Sequence, residues 1–223
     1  MKITAVIVAA GSGSRMGAGK NKVFLELSGR SILENTVAVF EDCDLINEIT
    51  VVTSDLAECR KLLEPYKKVK NIVPGGKTRQ ESVKNGLETS SCDIVVIHDG
   101  ARALISEKEI AAAIESAEKY GAAAVGVKCK DTLKKADKEG FISGTVDREF
   151  IYNIQTPQVF NYKEIKNMHA LAEDSSFTDD CALAEGFGTR IKIVDGSYDN
   201  IKITTPEDLE IAEKILEKRR QQK

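Results

Sequence analysis

The chain has 223 residues, 42% of them hydrophobic and 30% charged, with 32 lysines and arginines against 35 aspartates and glutamates. That length and balance suit an ordinary globular protein with one sizeable core, and exclude collagen-like, low-complexity and wholly disordered chains. A formal net charge of −3 argues against nucleic-acid binding through a broad basic face but leaves small anions open as ligands. No apolar run approaches the ~18 residues of a membrane span, so no membrane association is expected. The cysteines number five, without a Cys-x-x-Cys, and only two histidines are present. This pattern predicts reduced thiols and a cytoplasmic protein, and speaks against a disulfide framework or a zinc site.

In chain order, Ile3–Ala9 reads as a strand, and it runs straight into a glycine loop. Between Ala9 and Lys22 the loop collects Gly11, Gly13, Gly17 and Gly19 with the cations Arg15, Lys20 and Lys22. Small residues let backbone N–H groups close around phosphate oxygens, and the cations supply charge. Two common phosphate loops do not fit. A dinucleotide fingerprint needs glycine where Met16 stands, and a Walker loop needs glycine at Ser14 and a hydroxyl residue at Asn21.

Beyond the loop, short β-branched runs at Glu48–Thr53, Val69–Val73, Ile94–His98 and Ala122–Val127 alternate with helical periods at Ser31–Phe40, Leu56–Tyr66, Gln80–Glu88 and Glu107–Tyr120. Nearly continuous apolar strands between helices predict an α/β fold: one Rossmann-like domain, 1–223, with a mostly parallel central sheet flanked by helices. After Val127 the rhythm breaks. Residues 128–156 are expected to form a protruding β-hairpin arm, with Asp137 to Gly140 turning between Thr132–Ala136 and Phe141–Val146. Helices return at Tyr162–Leu171 and Asp179–Glu185, strands at Ile191–Val194 and Ile201–Thr204, and Thr205-Pro206 opens a last helix.

The glycine loop resembles the signature of sugar-phosphate nucleotidyltransferases, which read Gly-x-Gly-x-Arg-Met with a lysine downstream. Further motifs follow in order: Gly75 to Val83, His98 to Arg102, Lys130 to Thr132, Thr145 to Arg148, Gln155 to Gln158, Phe177 to Asp180 and Asp199 to Thr204. The ordered set covers nearly the whole chain and resembles the 2-C-methyl-D-erythritol 4-phosphate cytidylyltransferase family. The resemblance implies attack of a polyol phosphate on the α-phosphorus of CTP, with Mg²⁺ as cofactor. Such a transfer needs no enzyme nucleophile, only positioning and neutralisation of charge.

Residue by residue, the resemblance implies catalytic roles for Arg15, Lys22 and Lys202. It places Ala9, Ala10, Gly11, Gly13, Gly76, Lys77, Ser82 and Asp99 at CTP, and Asp99 at the metal, with Asp199 as a second candidate ligand. Arg102, Thr132, Arg148, Thr156 and Thr178 match residues around the acceptor, Arg148 from a second protomer reached by the arm, so a homodimer is expected. Arg15 offers a planar fork for phosphate, Lys22 a point charge. Lys202 would sit on an alternating strand with Ile201 and Ile203 inward. His98 reads as structural, since an ionised phosphate needs no general base. The family usually has proline where Asn21 stands, which leaves the loop's rigidity unassured. Two other readings fit much of the pattern: a ribitol-5-phosphate cytidylyltransferase, and a catalytically silent nucleotide-binding module.

Overall fold

A computed structural model describes residues 1–11, 21–172 and 177–221. The first strand, β1 (Ile3–Ala9), is followed by a 3-10 turn at Lys22–Phe24, a small hairpin of β2 (Glu26–Leu27) and β3 (Arg30–Ser31), and helix α1 (Ile32–Asp42). There follow β4 (Glu48–Thr53), α2 (Leu56–Leu63), β5 (Val69–Pro74), α3 (Arg79–Glu88), β6 (Ile94–Asp99), α4 (Glu107–Tyr120) and β7 (Ala122–Lys128). The remainder is β8 (Lys134–Ala136), β9 (Ile142–Thr145), β10 (Tyr152–Asn161), α5 (Tyr162–Leu171), α6 (Asp180–Gly186), β11 (Lys192–Asp195) and α7 (Pro206–Gln221).

Seven strands form the central sheet in the order β11-β7-β10-β6-β1-β4-β5. All its pairings are parallel except those of β10, which lies antiparallel between β6 and β7. The helical caps are those the sequence announces: Ser31 and Ser106 each close a capping box with the glutamate three residues on, Glu34 and Glu109. Alternation along the strands splits the core in two. Ile3, Ala5 and Ile7 of β1 face α1, α2 and α4, while Val6 faces the side covered by α3, α5 and α6. A third, smaller cluster seats α7 against the β2–β3 hairpin through Leu27, Ile203 and Ala212.

Two expectations are corrected. Ile201–Thr204 is not a strand: Ile203 is buried and Lys202 is not, as alternation requires, but the segment runs outside the sheet, tied by Ile203 N–H to the carbonyl of Ala101 at 2.9 Å. The stretch 128–156 also divides. Lys134–Ala136 and Ile142–Thr145 pair as an exposed two-stranded hairpin, whereas Tyr152 onward returns to the central sheet as β10. Apart from β10, the sheet's chain direction carries β1, β5 and β6 to the same edge. The order reverses at β1, since β4 and β5 lie on one side and β6 on the other, and ligands of open α/β sheets bind at such a switch point.

Helix α3 packs close to the sheet because Gly86 carries no side chain. A Cβ there would stand 2.6 Å from Val6 Cγ1 and 2.9 Å from Val52 Cγ2, both immobile in the sheet interior. Gly86→Ala gains helix propensity of about 1 kcal/mol but forces α3 outward at a cost of about 1–3 kcal/mol. A net loss of stability is expected, read as a lower urea midpoint.

Candidate active site

A cleft of about 450 Å³ opens over the ends of β1, β5 and β6. Val8 to Gly11, Lys22, Gly76 to Arg79, Ser82, Asp99, Ala101, Lys202 and Thr204 line it. Gly75 lets the turn after β5 close on the residue that follows β1, because a Cβ there would collide with that of Ala10. The turn into α3 is held by Ser82, whose Oγ accepts from Gly76 N–H at 3.0 Å and donates to the Thr78 carbonyl at 2.9 Å. The hydroxyl that resemblance assigns to the base is therefore already engaged in shaping the loop. Lys22 enters from the 3-10 turn, which Asn21 fastens: its amide donates to the Ala9 carbonyl and to Ser54 Oγ, both at 2.9 Å, and its Oδ1 accepts from Val23 N–H at 3.3 Å. Asn21 thus supplies by hydrogen bonding the rigidity that proline gives elsewhere.

A second cavity of about 210 Å³ adjoins the first, lined by Arg79, Asp99, Arg102, Ile154 to Thr156, Gln158, Thr178, Asp179 and Lys202. Arg79, Asp99 and Lys202 belong to both cavities and form their common wall. At that wall Asp99 Oδ1 lies 3.2 Å from Arg79 Nε, while Oδ2 lies 2.8 Å from Lys202 Nζ and 3.8 Å from Arg102 Nε. Burial alone would raise the Asp99 carboxyl, but Arg79, Lys202 and Arg102 outweigh it and hold the group well below the usual carboxylate range. The arrangement is costly to break: removing one partner of a buried pair typically costs about 3–5 kcal/mol, because the other charge stays buried.

Arg102 is held in turn by fully buried Asn200. Its side-chain amide donates to Gln155 Oε1 at 3.1 Å and to the Thr156 carbonyl at 3.0 Å, and its backbone carbonyl accepts from Arg102 Nη1 at 2.8 Å. Thr156 works inward. Its hydroxyl accepts from Asp99 N–H and lies against His98 Nδ1, each at 3.0 Å, and His98 Nε2 lies 3.2 Å from the Arg102 carbonyl. Both ring nitrogens of His98 are matched if it is neutral with its proton on Nε2.

Of the residues expected at the site, Ala9, Ala10, Gly11, Lys22, Gly76, Lys77, Ser82, Asp99 and Lys202 meet at the larger cavity, and Arg102, Thr156 and Thr178 at the smaller. Thr132 and Arg148 do not join them. Both are exposed on the arm segment, where Arg148 Nη1 hydrogen-bonds the Lys130 carbonyl. Asp199 is also apart, paired with Arg219 at 3.7 Å. Gly13 and Arg15 lie outside the described residues. Arg79, inside the Gly75 to Val83 motif but given no role by it, joins this wall; its distance of 20 residues from Asp99 gives no local signal. As to the metal, no cluster of three or more acidic, histidine or cysteine ligands occurs among the described residues. Among the described residues, Asp99 is the one carboxylate lining the larger cavity. One anionic oxygen donor fits Mg²⁺ that arrives with phosphates and keeps its waters, not a metal caged by protein.

The 2-C-methyl-D-erythritol 4-phosphate cytidylyltransferase family model matches residues 3–218. The chain belongs to that family. It is 46% identical, over 98% of its length and all of the relative's, to the enzyme of that name from Caldanaerobacter subterraneus subsp. tengcongensis. The Clostridium acetobutylicum enzyme is also 46% identical, over 96% of this chain and 97% of that one. Among solved structures, the 4-diphosphocytidyl-2C-methyl-D-erythritol synthase of Anaerococcus prevotii superposes with a TM-score of 0.86 at 36% identity, covering 97% of this chain and 96% of that one. A cytidylyltransferase family with this cleft accounts for a site of backbone donors and cations without a nucleophile.

His98 has a consequence for stability. Burial takes its imidazole from 6.5 down to about 4 in the folded protein. Between those values the unfolded chain holds a proton that the folded chain refuses, so stability rises with pH across that window and is lost as pH falls through it. The loss from pH 6.5 to 4 is at most about 3 kcal/mol. Urea midpoints at pH 7 and 4.5 measure it; His98→Gln is expected to be less stable at pH 7 but to show a shallower loss.

Proposed function

We propose that this chain transfers the cytidylyl group of CTP to 2-C-methyl-D-erythritol 4-phosphate, with Mg²⁺, as a cytoplasmic homodimer on the route to isoprenoid precursors. An oxygen of the acceptor phosphate attacks the α-phosphorus. The bond to the β-phosphate breaks, pyrophosphate leaves, and 4-diphosphocytidyl-2-C-methyl-D-erythritol is the product. The observation that carries this reading is the wall of Arg79, Asp99 and Lys202 shared by two adjoining cavities. A triphosphate in the larger and a polyol phosphate in the smaller meet across it.

On this reading Ala9 to Gly11, Gly76, Lys77 and Ser82 receive the nucleotide, and Arg15 and Lys22 neutralise charge on the triphosphate. Lys202, at the boundary, holds the two phosphates against one another. Arg102 and Thr178 bind the acceptor, and Thr156 keeps the Asp99 turn in place beneath it. Asp99 would hold the Mg²⁺, which when bound offsets phosphate charge. Holding two anions in line removes much of the entropic barrier, and fixed cations do the rest. Five free cysteines support a reducing compartment, and among the described residues no helix is long and apolar enough to cross a membrane.

The arm supports the dimer. Phe141, Ile142 and Phe150 are 67%, 69% and 80% exposed, an apolar surface that a second copy of the chain would cover. Thr132 and Arg148, remote from their own cleft, would then reach the acceptor cavity of the neighbouring copy.

Pyrophosphate release measured with CTP, Mg²⁺ and each of methylerythritol phosphate and ribitol phosphate tests the function. Turnover with the first and its loss on chelating the metal are expected; turnover with ribitol phosphate alone overturns the reading. For the arm, Lys22→Ala is expected to lower kcat by about 10²-fold or more, and Arg148→Ala to raise KM for the acceptor. When the two impaired variants are mixed, allowed to exchange subunits and assayed at acceptor concentrations below the raised KM, one site per mixed dimer regains both residues, so activity rises above that of either variant. Mixtures no more active than their components would place Arg148 in its own subunit's site or in none.

A further inference from the structure

Behind the shared wall lies a line of buried polar groups that touches neither substrate cavity at its far end. His169, on α5, is 3% exposed, and its Nε2 lies 3.0 Å from Asp180 Oδ1. The other oxygen of Asp180 accepts from Arg79 Nη1 at 2.7 Å, and Arg79 Nε donates in turn to Asp99 Oδ1 at 3.2 Å. Gln158 Oε1 fixes the backbone at this point, accepting from the N–H groups of Asp180 and Cys181, each at 3.1 Å. Each hop leaves from a different atom, so no member rotates without breaking the next bond.

We propose that His169, acting through Asp180, is a positioning residue for the transfer step: it sets the orientation of the Arg79 guanidinium and so of the Asp99 carboxylate. A packing role does not account for the imidazole. Its Nδ1 is buried with no hydrogen-bond partner among the described residues, a cost that an aliphatic side chain of similar size would not incur. What the ring supplies at this position is Nε2. Nor is the acceptor of that bond idle, because Asp180 is 1% exposed and holds one end of a guanidinium whose other end reaches the cavity wall. Arg79 is therefore held between two carboxylates, Nη1 on Asp180 and Nε on Asp99, and its grip on the first orients the second towards Lys202. A misplacement well below 1 Å at a wall touched by both reactants is enough to slow an in-line displacement.

The proposal rests on the assignment of Asp99 and Lys202 to the transfer, so wild-type turnover of CTP and methylerythritol phosphate is measured alongside. Without it the assignment of the site fails, and the positioning role with it. With it, the variants judge the positioning role alone. His169→Leu is expected to lower kcat about tenfold while KM for CTP stays within about twofold, because the glycine loop and the turn into α3 are untouched. His169→Gln places an amide N–H near the position of Nε2 and is expected to return kcat to within about twofold of wild type. Unchanged kcat in the leucine variant, or a glutamine variant as slow as the leucine one, overturns the proposal. Should His169→Leu not fold, Asp180→Asn, nearly isosteric, serves in its place: a loss confined to kcat sustains the role, and wild-type kcat overturns it.

Discussion

Asp99 is an anion that the fold buries at the end of a central strand, and much of the site is arranged around neutralising it. A carboxylate taken out of water is tolerated only where opposite charge and hydrogen bonds compensate it. Here the compensation comes from three segments far apart in the chain: the first turn of α3, the turn after β6, and the extended stretch before α7. Two of the three cations are themselves fixed, Arg79 by Asp180 and Arg102 by the backbone carbonyl of Asn200. Folding the chain and aligning the cations are thus one event, and little rearrangement is left for the moment of reaction.

That local order is compatible with an acidic chain. The two adjoining cavities are lined by Lys22, Lys77, Arg79, Arg102 and Lys202 against Asp99 and Asp179, so the cleft is cationic while the whole carries −3. A concave, partly dry surface concentrates such a field more than a flat one does. The polyanions excluded by composition are the long ones; a compact triphosphate needs only this patch.

Legibility in the sequence followed the range of the interactions. Parallel strands and amphipathic helices declare themselves within a few residues, and nearly all fall where periodicity and capping put them. The strand β10 did not, because an antiparallel insertion between parallel strands differs from an arm's descending limb only in what lies beside it. Alternation at Ile201 to Thr204 correctly exposed Lys202 yet promised a sheet partner that is not there. In the site most motif residues were readable, whereas Arg79 and Asp180, though inside motifs, and His169, outside them, had no legible role. The separation of 101 positions between Arg79 and Asp180 makes their pairing a product of the fold alone. Asn21 is the reverse case: a departure from a pattern whose compensation became visible only with its three hydrogen bonds.

The arm has a topological status of its own. Lys128 and Tyr152 are already paired across β7 and β10, and Cys129 N–H binds the Ile151 carbonyl at 2.9 Å immediately beyond them. Everything between those residues is, for the domain, a hairpin loop that a short turn would close equally well. Long loops add only slowly growing closure entropy, so such a segment can lengthen, shorten or change sequence without disturbing the sheet. The arm is therefore a modular appendage of the gene as well as of the fold: its length and sequence answer to selection by what it touches, independently of the scaffold that carries it.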